Sequence, residues 1–171
     1  MSLLSAARDG KRLAFLQWSG HATLYVADLE AGGTRMAHER HLTLSESSDF
    51  LSDWSPDSKS VIFWSNRDGD NAIYRQRLDE DTPQLLVTSQ DQLGVGCVSP
   101  DGKWFIYFLA KESKNPPHQA QLMRVPLAGG ISETILTVNR LEGWGLRQRP
   151  IGSVPARGTE RRSQGSHHHG V

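Results

Sequence analysis

The stretch TLYVADL at 23–29 alternates, with Leu24 and Val26 on one face and Tyr25 and Ala27 on the other. A period of two is the side-chain repeat of a β-strand that has one face in a core. The stretches AIYRQRL at 72–78 and QLMRVPL at 121–127 occupy the same context. Before each of the three comes a denser apolar run, opening at Leu13, Val61 and Phe105 and rich in side chains that pack on pleated surfaces. A further apolar stretch precedes two of these runs, at 51–54 and 95–98, and predicts a strand of its own. Between them stand Ser-Pro-Asp-Ser at 55–58 and Ser-Pro-Asp-Gly at 99–102. These predict tight turns, because Pro fixes φ and Gly accepts φ > 0. Turn residues follow each alternating stretch, at 31–33, 79–83 and 128–130, and lead into a fourth, more polar strand.

The features recur in one order, three times. Anchored on Asp9, Asp57 and Asp101, the repeats are spaced 48 and then 44 residues apart, and they close on Leu42-Thr43, Val87-Thr88 and Leu136-Thr137. That period belongs to four-stranded propeller blades. A single blade is too thin to hide both faces, so such units must stack in rows. The expected fold is all-β, a partial β-propeller of about three four-stranded antiparallel blades plus the start of a fourth. The expected divisions are residues 1–43, 44–88 and 89–137 for the blades, 138–145 for the start of a fourth and 146–171 for a disordered basic tail.

Residues 54–79, WSPDSKSVIFWSNRDGDNAIYRQRLD, and 98–108, VSPDGKWFIYF, resemble the repeats of TolB-type propellers, WD-repeat-like units built around Ser-Pro-Asp-Gly. The resemblance covers about residues 3–137. Two positions depart from it: Arg8 stands where the motif has Pro, with few residues before it, and Ser58 stands where it has Gly. The first predicts a clipped innermost strand, and the second a type I turn that accepts Ser. Propellers of this family usually have six or more blades, so three imply an open arc. The chain is then expected to be a piece of a larger protein or to close a ring with a second copy.

Charge adds one asymmetry. The net formal charge is zero, yet residues 1–145 carry 14 Lys/Arg against 18 Asp/Glu, and residues 146–171 carry five Arg against one Glu. The tail has two readings, a native basic segment or the product of a frameshift, which the nucleotide sequence separates. Cys97 is the only cysteine, which excludes an intrachain disulfide and fits a reducing compartment. No apolar run reaches membrane-spanning length and the first residues lack an export signal. The expected location is cytoplasmic as written, or periplasmic if the true N-terminus lies upstream.

No catalytic pattern emerges, and neither an enzyme activity nor a cofactor is expected. GGISET at 129–134 lacks the second glycine and the helical context of a nucleophile elbow. GVG at 94–96 precedes a strand rather than a helix and reads as close packing of an innermost strand. NRDGDN at 66–71 offers oxygen ligands but reads first as a hairpin turn. His167 to His169 have no fixed geometry, and His21, His38, His41 and His118 share no spacing, so no metal site is expected. Asp9, Gly10, Pro56, Asp57, Pro100, Asp101 and Gly102 are expected to shape turns, the acids, with Asp53, by accepting backbone N–H bonds. Trp54, Trp64 and Trp104 are expected between blades, while Trp18, in QWSGH, is the candidate for an exposed interaction residue.

The function expected is a non-catalytic module that binds protein or peptide. By the resemblance it belongs to a larger TolB-like protein or to the sensory half of a bacterial regulator or kinase. The alternative is the propeller of a prolyl-oligopeptidase-type serine peptidase without its hydrolase domain. No membrane span is expected among its parts, and without aromatic interleaving or a folded basic face, nucleic acid is not the partner expected.

Overall fold

A computed structural model describes residues 4–44, 46–110 and 119–139. Twelve strands form three separate antiparallel sheets of four, each built from consecutive strands in chain order. The first holds β1 (Leu4–Ala6), β2 (Arg12–Trp18), β3 (Ala22–Glu30) and β4 (Arg35–His41). The second holds β5 (Asp49–Trp54), β6 (Ser60–Ser65), β7 (Asn71–Arg77) and β8 (Gln84–Ser89). The third holds β9 (Gln92–Val98), β10 (Trp104–Ala110), β11 (Gln119–Pro126) and β12 (Glu133–Asn139). The chain is an all-β partial propeller. What sequence reading places at 140–171 lies outside the described residues.

The sheets stack in a row with their alternating side chains dividing the work. The second sheet turns one face back to the first sheet and the other forward to the third. Rearward point Val61, Phe63 and Tyr74 of the second sheet, which meet Ala14, Leu24 and Val26 of the first in one buried cluster. Forward from the second sheet point Ile62 and Ile73, which meet Phe105, Tyr107, Met123 and Val125 of the third. Strand register enforces the split, since Phe63 pairs with Tyr74, Trp64 with Ile73, and Tyr107 with Met123. Each fully buried Ile or Phe contributes about 1.5–3 kcal/mol relative to exposure, so the seams supply much of the stability.

Three turns link the innermost strand of each sheet to the next. Gly10 N donates to Ala7 O, Ser58 N to Ser55 O and Gly102 N to Ser99 O, at 2.9, 2.9 and 2.8 Å. All three of these donors have positive φ, at 67°, 56° and 72°. Ser58 is therefore accepted only in the left-handed region, which costs a residue with a Cβ about 1–2 kcal/mol. Its oxygens offset part of that by reaching the first sheet, where Asp9 N donates to Ser58 Oγ at 3.2 Å and Arg12 Nη1 to Ser58 O at 2.8 Å. The glycines of β9 meet close neighbours. A Cβ on Gly96 would lie 2.5 Å from the Phe105 ring, and one on Gly94 3.2 Å from Phe108 Cβ.

The tryptophans divide differently from expectation. Trp54 is buried at the first seam and donates from Nε1 to Ser5 O at 3.0 Å. Trp64 is half-buried against the second cluster and Phe50. Trp104 does not lie between described sheets. Its neighbour Phe105 points rearward into the second seam, so alternation turns Trp104 to the forward face, where the Arg124 guanidinium covers its ring at 4.2 Å.

Candidate functional site

The sequence-predicted turn acids act locally. The Asp57 carboxylate accepts from Lys59 N at 3.0 Å and from Ser55 Oγ, and Asp101 repeats this with Lys103 N at 3.1 Å and Ser99 Oγ. The serine bonds come first among the causes that hold both carboxyls below the usual range. Asp9 accepts from Lys11 N at 2.9 Å. Asp53 differs, because its Oδ2 accepts from Val98 N of the third sheet at 2.8 Å and so ties two innermost strands together. Trp18, at the end of β2, is 59% exposed.

The NRDGDN turn carries a polar knot. Arg67 reaches both oxygens of the fully buried Asp49 at 3.1 Å, and its guanidinium lies 5.1 Å from the Phe63 ring centroid and 4.9 Å from that of Tyr74. Tyr74 OH donates to Asp68. Burial, followed by that bond, pushes the phenol up to about 12. Asn66 Oδ1 accepts from Ser48 N at 3.2 Å. Two of the groups that could have offered oxygens to a cation, Asn66 and Asp68, are thus engaged in bonds within the second sheet. Among the described residues no three His, Cys, Asp or Glu converge as metal ligands.

The concave feature of interest is a groove of about 420 Å³ where the outer strands of the first sheet meet the β6 and β7 ends of the second. Val26 and Leu78 give it apolar walls, the β3 backbone at Ala27 adjoins it, and Arg12, Arg40, Lys59 and Arg77 crowd its rim with Asp28, His38 and Asp79. Arg12 and Arg77 pair with acids, Arg12 loosely with Asp9 and Asp28 at 4.0 and 3.9 Å, Arg77 closely with Asp79 at 2.7 Å. Arg40 instead donates to the Leu78 carbonyl across the seam. Among the described residues, neither Arg40 nor Lys59 has a carboxylate at ion-pair distance. The groove owes its shape to a bulge in β4, where the register with β3 shifts between Val26 and Asp28 and His38 takes φ 51°. Sequence reading passed over Arg40 and Lys59. They stand 19 residues apart in separate repeats, and only the seam joins them.

Comparison with known proteins now adds to the three stacked sheets. The model of the TolB beta propeller domain matches residues 5–142. The chain belongs to the TolB β-propeller domain family. TolB from Agrobacterium tumefaciens superimposes with a TM-score of 0.64 at 22% identity, over 78% of this chain and 48% of that one. TolB from Acinetobacter baumannii does so with a TM-score of 0.56 at 22% identity, over 77% and 31%. Prolyl oligopeptidase B from Galerina marginata shares the fold as well, with a TM-score of 0.59 at 16% identity over 80% and 19%. This TolB-family chain thus spans about half, or less, of the length of these solved structures. No curated protein sequence matches it. Among the described residues no helix is long and apolar enough to cross a membrane.

Proposed function

We propose that this TolB-family chain is a non-catalytic module that binds a protein or peptide segment, and that the groove between its first two sheets is the binding face. The observation that carries the reading is the groove itself. It joins apolar walls to two cations, Arg40 and Lys59, that have no carboxylate within 4.0 Å among the described residues, though Lys59 acts on Asp57 and Asp79 at longer range, and its volume falls within the few hundred Å³ of small ligand sites. Such a site favours an extended segment with an apolar side chain beside a carboxylate. The setting proposed is a larger TolB-like protein or the sensory half of a bacterial regulator or kinase.

A peptide array of acidic and neutral sequences, followed by fluorescence anisotropy on the hits, tests the reading. Acidic peptides should bind, and Lys59→Glu should weaken them tenfold or more while the far-ultraviolet dichroism stays unchanged. If no peptide binds, or if Lys59→Glu binds as well as the parent, the groove is not the site. The likeness to prolyl oligopeptidase B supports a second setting, the propeller of a serine peptidase. An adjoining reading frame with Gly-x-Ser-x-Gly would favour that setting over the first.

A further inference from the structure

The two described seams share one arrangement of apolar positions, which defines what each end face should receive. By position after the anchors and by strand register, Leu13, Phe15 and Phe15's partner Tyr25 in the first sheet match Val61, Phe63 and Tyr74 in the second and Phe105, Tyr107 and Met123 in the third. The six in the second and third sheets point rearward and are buried to 9% or less. The first three are only half-buried, with Phe15 and Tyr25 stacked at 5.4 Å on a face that no described sheet covers. At the other end, Ile106 and Leu122 occupy the positions of Ile62 and Ile73, which are 0% and 1% exposed, and yet are themselves half-buried. One end of the chain carries the rear half of a seam and the other end the forward half.

One contact fits these halves to each other, and two further pairs of positions come together by register, although Arg124 also pairs with Glu133 on its own sheet at 2.7 Å. At the second seam Pro56 presses on the next sheet's turn so closely that a Cβ on Gly102 would lie 2.5 Å from Pro56 Cγ. At the first seam Arg8 stands in place of the proline, and the facing turn residue is Ser58. Proline in front therefore goes with glycine behind. The third sheet presents Pro100 forward, and the first sheet carries Gly10 at the matching turn, with φ +67° and nothing within 4 Å of its Cβ position. Next, Arg75 reaches forward across the second seam to Leu127 O at 2.8 Å. Arg124 holds the position of Arg75 on the third sheet, and Leu29 holds that of Leu127 on the first. Lastly, Asp53 accepts from Val98 N across the same seam. By strand register, Cys97 holds the position of Asp53, opposite Ile106, and Ala6 that of Val98, opposite Leu13.

We propose that the forward face of the third sheet receives the rear face of the first sheet of a second copy, head to tail. Pro100 then packs on the partner copy's Gly10 turn, and Cys97 lies beside its Ala6. The surface is heterologous, so two copies joined at both ends give one closed row of sheets. The inference is independent of the peptide groove, which lies within one chain.

Light scattering across a concentration series reads the association directly, with molar mass expected to rise from 19.0 kDa toward twice that value. Gly10→Ala should leave the sheets folded by circular dichroism and weaken association tenfold or more, because its Cβ would meet Pro100 only across the new seam. Ala6→Cys, treated with a short bis-maleimide, should give a covalent dimer through the native Cys97, whereas the parent chain should not. A mass of 19.0 kDa at every concentration would overturn the proposal. So would a dimer indifferent to Gly10→Ala that fails to cross-link, since it would use another surface. The same holds for a parent chain in which residues 140–171, or a separate protein, prove to cover the third sheet.

Discussion

Gly102→Ala and Gly10→Ala place the same perturbation at two equivalent turns with different surroundings. Both glycines sit in the left-handed region, at φ +72° and +67°, so each Cβ costs about 1–2 kcal/mol in backbone strain. Both replacements also restrict the unfolded chain alike, and that contribution cancels in the comparison. What remains is the seam. The new Cβ at position 102 would stand 2.5 Å from Pro56 Cγ, far inside the 3.5–4.0 Å of a favourable carbon contact, while that at position 10 would meet nothing within 4 Å. Pro56 is part of a turn and its ring is not the free end of a flexible side chain, so the seam must open. Overpacking of this kind adds about 1–3 kcal/mol. Gly102→Ala is therefore expected to destabilise by about 2–5 kcal/mol and Gly10→Ala by about 1–2 kcal/mol. Urea unfolding followed by tryptophan fluorescence, at protein concentrations low enough to keep copies apart, gives both values. Equal penalties at the two turns would refute the stacking of the third sheet on the second at Pro56.

Other perturbations probe the same frame. Arg67→Met removes the guanidinium whose Nη2 reaches both oxygens of the fully buried Asp49 and should cost about 1–3 kcal/mol in chemical denaturation. Asp53→Ala removes the acceptor of Val98 N at the second seam and should cost about 1–3 kcal/mol, measured in the same way. The carboxyls of Asp57 and Asp101 are depressed in the folded chain, so their stabilisation is present above the ordinary carboxylate range and falls away as pH drops through their lowered values. Ser55→Ala and Ser99→Ala should flatten that acid limb. The Tyr74 phenol is raised from 10.0 to about 12, so its contribution is intact below pH 10.0 and is lost as pH climbs toward about 12. Tyr107 is also raised, chiefly by burial, so ultraviolet titration should show two late tyrosines, of which Tyr74→Phe removes the one at about 12.

Strands were legible because their evidence is local. The apolar runs after each Asp anchor, and alternation such as that of Leu24 and Val26 against Tyr25, carry the pleat in consecutive residues, and Pro-Asp at 56–57 and 100–101 punctuates them. Local evidence also stopped short in two places. Ser58 looked compatible with its turn, but only the structure shows that it must enter φ > 0 and that its oxygens reach the first sheet. Trp104 looked like a seam residue by its bulk, and one step of alternation from Phe105 put it on the opposite face. The groove lay further out of reach. Its rim needs the β4 bulge at His38 and the meeting of Arg40 with Lys59 across a seam, neither of which leaves a pattern within one repeat. Asp49 and Arg67 pair across 18 residues, and the sequence showed only the turn between their strands.

The central claim is that seams between sheets, rather than the sheets singly, hold the fold. Hydrogen exchange read by mass spectrometry on dilute protein tests it most directly, because only the second sheet has a described sheet on both sides. β6 and β7 are expected to exchange slowest, with β1, β2 and β12 opening first. Uniform protection across the three sheets, or faster exchange in β6 and β7 than in the end sheets, would contradict it.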